Sequence, residues 1–300
     1  MAGKKEIRNK IASTRNTQKI TRAMEMVSIS KMRRTQDQAK AARPYTHALV
    51  RMIEHLTHAN PEYKHPYLFV RNETKNVAVI VVSSDRGQCG GLNANLFRLG
   101  LRSARNWQKE GKQVRWSVIG RKASVYFSSI KAKVDAQLTN VGDKPKLESL
   151  FGIVHSQLEL FQRGEVDEIW LASNNFVNTL TQKPSIERLV PISPECLRDF
   201  GGGTIRDGKN SDGKMPWDYI YEPDAKEILD SLLLRFVETL VYHGVVENIA
   251  CEQAARMMAM RSATDNAGTI IKELQLMYNK ARQAAITQEI AELVAGAAAV

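Results

Sequence analysis

All nine prolines of this 300-residue chain lie between Pro44 and Pro223. Proline removes a backbone donor and clashes with the preceding helical turn, so the proline-free ends are where long helices are allowed. Glycine in residues 1–43 is limited to Gly3, and in residues 224–300 to Gly244, Gly268 and Gly296. As one helix, the C-terminal stretch extends roughly 110 Å at about 1.5 Å per residue. A helix of that length cannot bury itself in its own domain. It needs another helix or a partner protein, and the helix available within the chain is the N-terminal one. The sequence therefore predicts a rod of two paired ends with a globular domain inserted between them.

Periodicity separates the ends from the middle. Leu229, Leu233, Phe236 and Leu240 follow 4-3-4 spacing, and Ile270, Leu274, Met277, Ala281, Ala284, Gln288 and Ala291 keep the 4-3 alternation. Both rows read as a coiled-coil seam. At the N-terminus, Ile7 and Ile11 make one turn of seam and Ile20, Met24 and Val27 another, with polar Thr14 to Gln18 between them. Pro44 is expected to kink or restart this helix, which then continues to about His58. In the middle, the valine-rich run 77–83 reads as a strand buried on both faces. Further strands are expected at 114–120, 168–174 and 185–191, with helices at 94–109, 122–130 and 146–162. Such alternation predicts a small α/β domain with a largely parallel sheet.

Composition narrows the function. No apolar run approaches the roughly 18 residues of a membrane helix, and the N-terminus lacks a signal-peptide core. Cys89, Cys196 and Cys251 are scattered, fitting neither a zinc site nor a disulfide framework and pointing to a reducing compartment. The net charge of +11 is uneven. Residues 1–43 hold twelve Lys or Arg against Glu6, Glu25 and Asp37, whereas residues 224–300 hold seven basic side chains against ten acidic ones. A basic arm of this kind binds nucleic acid, an acidic protein surface or the chain's own acidic helix. Residues 1–43 contain no aromatic side chain to stack on bases, which weakens the first option. The turn SDRGQCGGLN (84–93) sits between strand and helix, where phosphate loops occur. It lacks both GxxxxGK[ST] and GxGxxG, so Asp85 and Arg86 are read as local or intersubunit contacts. No serine–histidine–acid set, paired carboxylates or metal cluster stands out, and no cofactor is implied.

Three segments carry a family resemblance: NTQKITRAMEMV (16–27) with SKMR (30–33); CEQAARM (251–257) running into RSATDNA (261–267); and YNKARQAAITQE (278–289). Together with the central SDRGQCGGLN they resemble the gamma-subunit family of bacterial, F-type, proton-translocating rotary ATP synthases, and the match runs in order along essentially the whole chain. The segment from about Glu195 to Pro216 departs from it, being longer and more glycine-rich than in many bacterial relatives. The resemblance implies an antiparallel two-helix coiled coil formed by the N- and C-terminal segments, with a small, Rossmann-like α/β domain. The expected divisions are an N-terminal shaft helix at 1–58, the α/β domain at 75–195, a glycine-rich loop at 196–216 and a C-terminal shaft helix at 217–300.

The resemblance further implies a non-catalytic, torque-transmitting central stalk, one copy per complex, at the cytoplasmic face of the inner membrane without insertion into it. Its implied partners are the alpha and beta subunits of the catalytic hexamer, the epsilon subunit and the membrane c-subunit ring. Carried over residue by residue, it makes Lys19, Arg22, Met24, Arg256, Gln283, Thr287 and Glu289 shaft or bearing contacts. Phe200, Gly201, Gly202 and Gly203 fall in a loop read either as a tolerated surface insertion or as a regulatory or assembly element. A basic coiled-coil protein binding nucleic acid is the alternative from a different class.

Overall fold

Seven consecutive strand residues, NVAVIVV, make β1 (Asn76–Val82) the centre of a five-stranded sheet, and every residue after Asn76 is buried. Side chains alternate across a strand. Here Ala78, Ile80 and Val82 enter one core while Val77, Val79 and Val81 enter another. That double burial explains the unbroken apolar run. The sheet belongs to a computed structural model describing residues 2–59, 65–69, 71, 73–192 and 224–298. The expected loop at 196–216, with Phe200, Gly201, Gly202 and Gly203, lies outside the described residues.

The chain forms two compact units, one of Lys31–Ala255 and one of Met1–Ser30 with Arg256–Val300. Two long helices contribute to both: α1 (Ala2–Ala59) and α5 (Ala225–Ala298). In the larger unit, β1 is followed by α2 (Leu92–Lys109), β2 (Gln113–Ile119), α3 (Arg121–Ser129), β3 (Val134–Leu138), α4 (Glu148–Gln162), β4 (Glu168–Phe176) and β5 (Gln182–Val190). The sheet order is β3-β2-β1-β4-β5. β1 pairs in parallel with β2 and β4, β2 with β3, and β5 closes the edge antiparallel to β4, with Ala172 opposite Ile186. The chain winds outward from β1 to β3, then crosses back through α4 to place β4 on the other side of β1.

Helices cover both faces. On one, α4 packs with Leu49, Val50 and Ile53 of α1 and with Leu229, Leu233, Phe236 and Leu240 of α5. On the other lie Leu96 and Phe97 of α2 with Phe127 of α3. One expectation changes here: the Leu229–Leu240 row is buried as its spacing demands, but it faces the sheet core rather than a coiled-coil partner. As expected, α1 continues beyond Pro44, to Ala59. An interior proline costs about 3 kcal/mol. Leu49, Val50 and Ile53, at 5%, 0% and 0% exposure, together return more than that at about 1.5–3 kcal/mol each. The sheet also has a strand the sequence did not announce: β3 (VDAQL) is short and only half-buried.

Gly120, between β2 and α3, adopts φ +95°, and a Cβ there would overlap the carbonyl of Ser83. Gly152, inside α4, has open space around it. Gly120→Ala is therefore expected to lose at least about 3 kcal/mol of stability. Gly152→Ala should gain about 0.5–1 kcal/mol from helix propensity. Urea midpoints of the two variants check this, and an unchanged midpoint for Gly120→Ala refutes the backbone constraint.

Candidate functional site

In the smaller unit, α1 and α5 meet along a line that is regular in spacing and, on the α1 side, polar in composition. On α1 the residues Ile7, Ile11, Thr14, Gln18, Thr21, Glu25 and Ser28 keep an unbroken 4-3 alternation of half-buried and buried positions, with Met24 and Ile29 half-buried beside it. On α5 the row Met260, Thr264, Ala267, Ile271, Leu274, Tyr278, Ala281 and Ala285 is again 4-3 throughout, flanked by half-buried Ala263, Gly268 and Gln275. The Thr21 and Thr264 hydroxyls lie 2.7 Å apart, and Gln18 Nε2 donates to the Thr264 carbonyl at 3.3 Å. Gln18 also lies against Gly268. As α1 advances from Gln18 to Thr21, its neighbour on α5 retreats from Gly268 to Thr264, so the helices run antiparallel. Carried along both helices at equal rise, this register brings Gln18 level with Ala267, Ile11 with Leu274 and Ile7 with Tyr278.

The seam works because its hydroxyls are satisfied at home. Thr14 donates to the Lys10 carbonyl at 2.8 Å, Ser28 to that of Met24 at 2.9 Å and Thr264 to that of Met260 at 2.9 Å. Such back-bonding leaves a short, self-contained side chain that adds no unpaired polar group to the contact. The apolar residues picked from sequence as seam are partly elsewhere. Ile20 and Val27 are 60% and 54% exposed, as are Ile270 and Met277 at 46% and 57%. Only Leu274 and Ala281 belong to both the expected and the observed line on α5. The missed signal was the 4-3 spacing of Thr, Ser and Gln themselves.

Outside the seam, charge is left uncancelled. Among the described residues, Arg8, Arg15, Lys19 and Arg22 make no ion pair with α5, and Glu6 pairs with Lys10 of its own helix. The acidic helix is thus not the partner of these cations. Lys19, Arg22, Gln283, Thr287 and Glu289 are exposed, Met24 is half-buried, and Arg256 is buried at 8% exposure. Past Ala285, the last half-buried residue among those described, α5 presents Ile286, Ile290, Leu293 and Val294, all at least 45% exposed.

The strand turn of the larger unit is held from within. Asp85 accepts from the backbone N–H groups of Arg121 and Asn140 at 3.0 Å each and of Gly142 at 3.4 Å. The Ser84 hydroxyl donates to the Arg86 carbonyl at 2.7 Å and accepts from Asn93 Nδ2 at 2.7 Å. Asp85 therefore ties three chain segments together, while the Arg86 side chain stays exposed. Cys89 and Cys251 are buried and unbridged, and burial raises the Cys251 thiol far above its ordinary pKa, leaving it inert.

The family profile described as ATP synthase matches residues 3–300. The ATP synthase gamma chain of Methylococcus capsulatus is 58% identical over 300 residues, covering 100% of both chains. That of Nitrosococcus oceani is 56% identical over 301 residues, again covering 100% of both. Among solved structures, the Euglena gracilis mitochondrial ATP synthase rotor has a similar chain at 18% identity and a TM-score of 0.61, covering 95% of this chain and 99% of that one. The central stalk and c-ring of the Tetrahymena thermophila mitochondrial enzyme has another, at 20% identity and a TM-score of 0.60, covering 81% and 99%. At those identities the structural likeness concerns the fold alone.

Three substitutions test the geometry. Thr21→Val and Thr264→Val should each lose about 1 kcal/mol, and the double variant should fall short of their sum by about 0.5–1 kcal/mol. Strict additivity in urea unfolding would mean that the hydroxyl pair does not hold the register. Asp85→Ala should cost the isolated chain about 1–2 kcal/mol. An unchanged stability would instead point to a carboxylate kept for a partner.

Proposed function

We propose that this chain, which belongs to the ATP synthase gamma-chain family, is the central rotor stalk of a bacterial rotary ATP synthase. It transmits torque between a proton-driven membrane ring of c subunits and a catalytic hexamer of alpha and beta subunits, with the epsilon subunit at its foot. One copy serves each complex, and the chain hydrolyses no nucleotide itself. It sits at the cytoplasmic face of the inner membrane as a peripheral subunit. Among the described residues no helix is long and apolar enough to cross a membrane. The observation that carries this reading is 58% identity, end to end, with a gamma chain. Every relative named above is an ATP synthase chain, and none favours the nucleic-acid alternative.

The geometry suits the task. A rotor needs two helices that keep one register under load, which directional hydroxyl and amide bonds at Thr21, Thr264 and Gln18 supply better than apolar contact alone. It also needs outward faces that differ around its axis. The unneutralised Lys19 and Arg22 suit acidic surfaces of the catalytic subunits, while exposed Gln283, Thr287 and Glu289 suit bearing contacts nearer the end of α5. Arg256 is buried, so its proposed part is internal to the shaft; half-buried Met24 belongs beside the seam.

The test is a reversible tether. Lys19→Cys, with Cys196→Ser to remove one native thiol, is oxidised onto a cysteine in the surrounding catalytic subunit of the assembled complex. Cys89 and Cys251 are buried, so the introduced thiol is the one that reacts. ATP turnover should stop on oxidation and return on reduction. Full turnover with the tether closed would refute rotation of the shaft against that subunit.

A further inference from the structure

The face of the larger unit formed by α2 and α3 carries a groove of about 1380 Å³. Its rim is basic. Arg98, Arg102, Arg105 and Lys109 follow one another at i, i+4, i+7 and i+11 on α2, a single helical row about 16 Å long, and Arg121 and Lys122 face them from α3. Arg86 of the strand turn closes one end. All seven side chains are exposed, and among the described residues none makes an ion pair. The lining's one acid, Asp85, is already engaged by three backbone N–H groups.

This arrangement runs against stability. Like charges four apart on one helix repel, and other basic groups of the same unit have partners: Arg115 with Asp135, Arg71 with Asp167, Lys31 with Asp143. We infer that the α2–α3 groove is a docking site for an acidic amphipathic polypeptide segment. The groove exceeds the volume of ordinary small-molecule pockets, so an extended occupant fits it better than a mononucleotide. Its floor is apolar, with Phe97 and Leu101 from α2 and exposed Val125 and half-buried Tyr126 from α3; apolar side chains on a peptide cover such a floor, and a phosphate polymer has none. Tyr126 stacks on Phe97 at 4.7 Å with the rings 18° apart, so one ring face is spent and base stacking, which single-stranded nucleic acid binding relies on, is poorly served. Cations spaced by helical turns match carboxylates spaced the same way on a partner helix.

The groove is independent of the rotor reading, and its test uses the full chain alone. The probe is a fluorescent amphipathic peptide of roughly four helical turns, with Glu on one face and Leu on the other, measured by anisotropy. Wild-type protein should bind it saturably, and binding should weaken with added salt. Arg102→Glu with Arg105→Glu should weaken it at least about tenfold, and Arg102→Gln with Arg105→Gln should weaken it less. Lys144→Glu with Lys146→Glu makes the same change in net charge at exposed, unpaired positions outside the groove and should leave binding unchanged. An equal loss in that control, or no saturable binding by wild type, overturns the site. Complete displacement of the peptide by inorganic polyphosphate, oligo(dT) or phosphatidylglycerol vesicles at lower concentration than unlabelled peptide overturns the assignment to a polypeptide. Matching thermal melts for all variants keep the comparison free of folding effects.

Discussion

Two threonine hydroxyls 2.7 Å apart fix the relation between the chain's two ends. Apolar side chains in a helix seam tolerate slippage because burial is non-directional and scales with area. A hydroxyl that accepts from one particular neighbour does not. A displacement of one residue would move Thr21 off Thr264, and the neighbouring Ala263, Ala267 and Gly268 carry no hydroxyl to take its place. The two ends are thus held by a modest number of oriented bonds at the centre and by Ile7, Ile11, Leu274 and Tyr278 further along. Which side chains face outward follows from this register, including the uncancelled cations of α1.

The same helices serve a different purpose in the larger unit. There α1 changes chemistry, from Thr, Ser and Gln to Leu49, Val50 and Ile53, and α5 contributes Leu229, Leu233 and Phe236, because their neighbour is a sheet face. A sheet offers a broad apolar surface, and area burial decides the contact. That gain makes Pro44 tolerable within a 58-residue helix. Gly244 of α5 belongs to the same packing: a Cβ there would meet the Leu171 side chain of β4 at 2.7 Å, so the helix lies against the strand where the glycine allows it.

Fold class was legible because the strongest signals were also the physically simplest. The run at 77–83 is apolar because both its faces are buried, and the proline-free ends are helical because nothing interrupts them. β3 was not legible: VDAQL has two polar positions and an edge location, so burial imposes little on its residues. The seam was misplaced for a related reason. Reading by hydrophobicity selects Ile20, Val27, Ile270 and Met277, whereas the contact selects their neighbours: Thr21 and Ser28 on α1, short side chains that carry their own hydrogen bonds, and Ile271 and Tyr278 on α5. The two readings differ by only one position in each case. For the carried-over residues, Lys19, Arg22, Gln283, Thr287 and Glu289 are found on the surface, and buried Arg256 is the one whose environment differs most from a bearing contact.

Exposed apolar residues at the end of α5 complete the rotor argument. Ile286, Ile290, Leu293 and Val294 are 45%, 55%, 74% and 64% exposed, and four such side chains at helical spacing form an apolar stripe. A hydrogen-bonded or charged end would hold a surrounding wall at particular angles, since those interactions depend on orientation and lose their strength once misaligned. An apolar stripe is attracted to an apolar wall at nearly any angle, because the gain depends on area removed from water. The central seam and the terminal stripe thus use opposite properties of the two forces. Directional bonds hold the two helices in one register, whereas the exposed end of α5 offers apolar area whose burial carries no preferred angle.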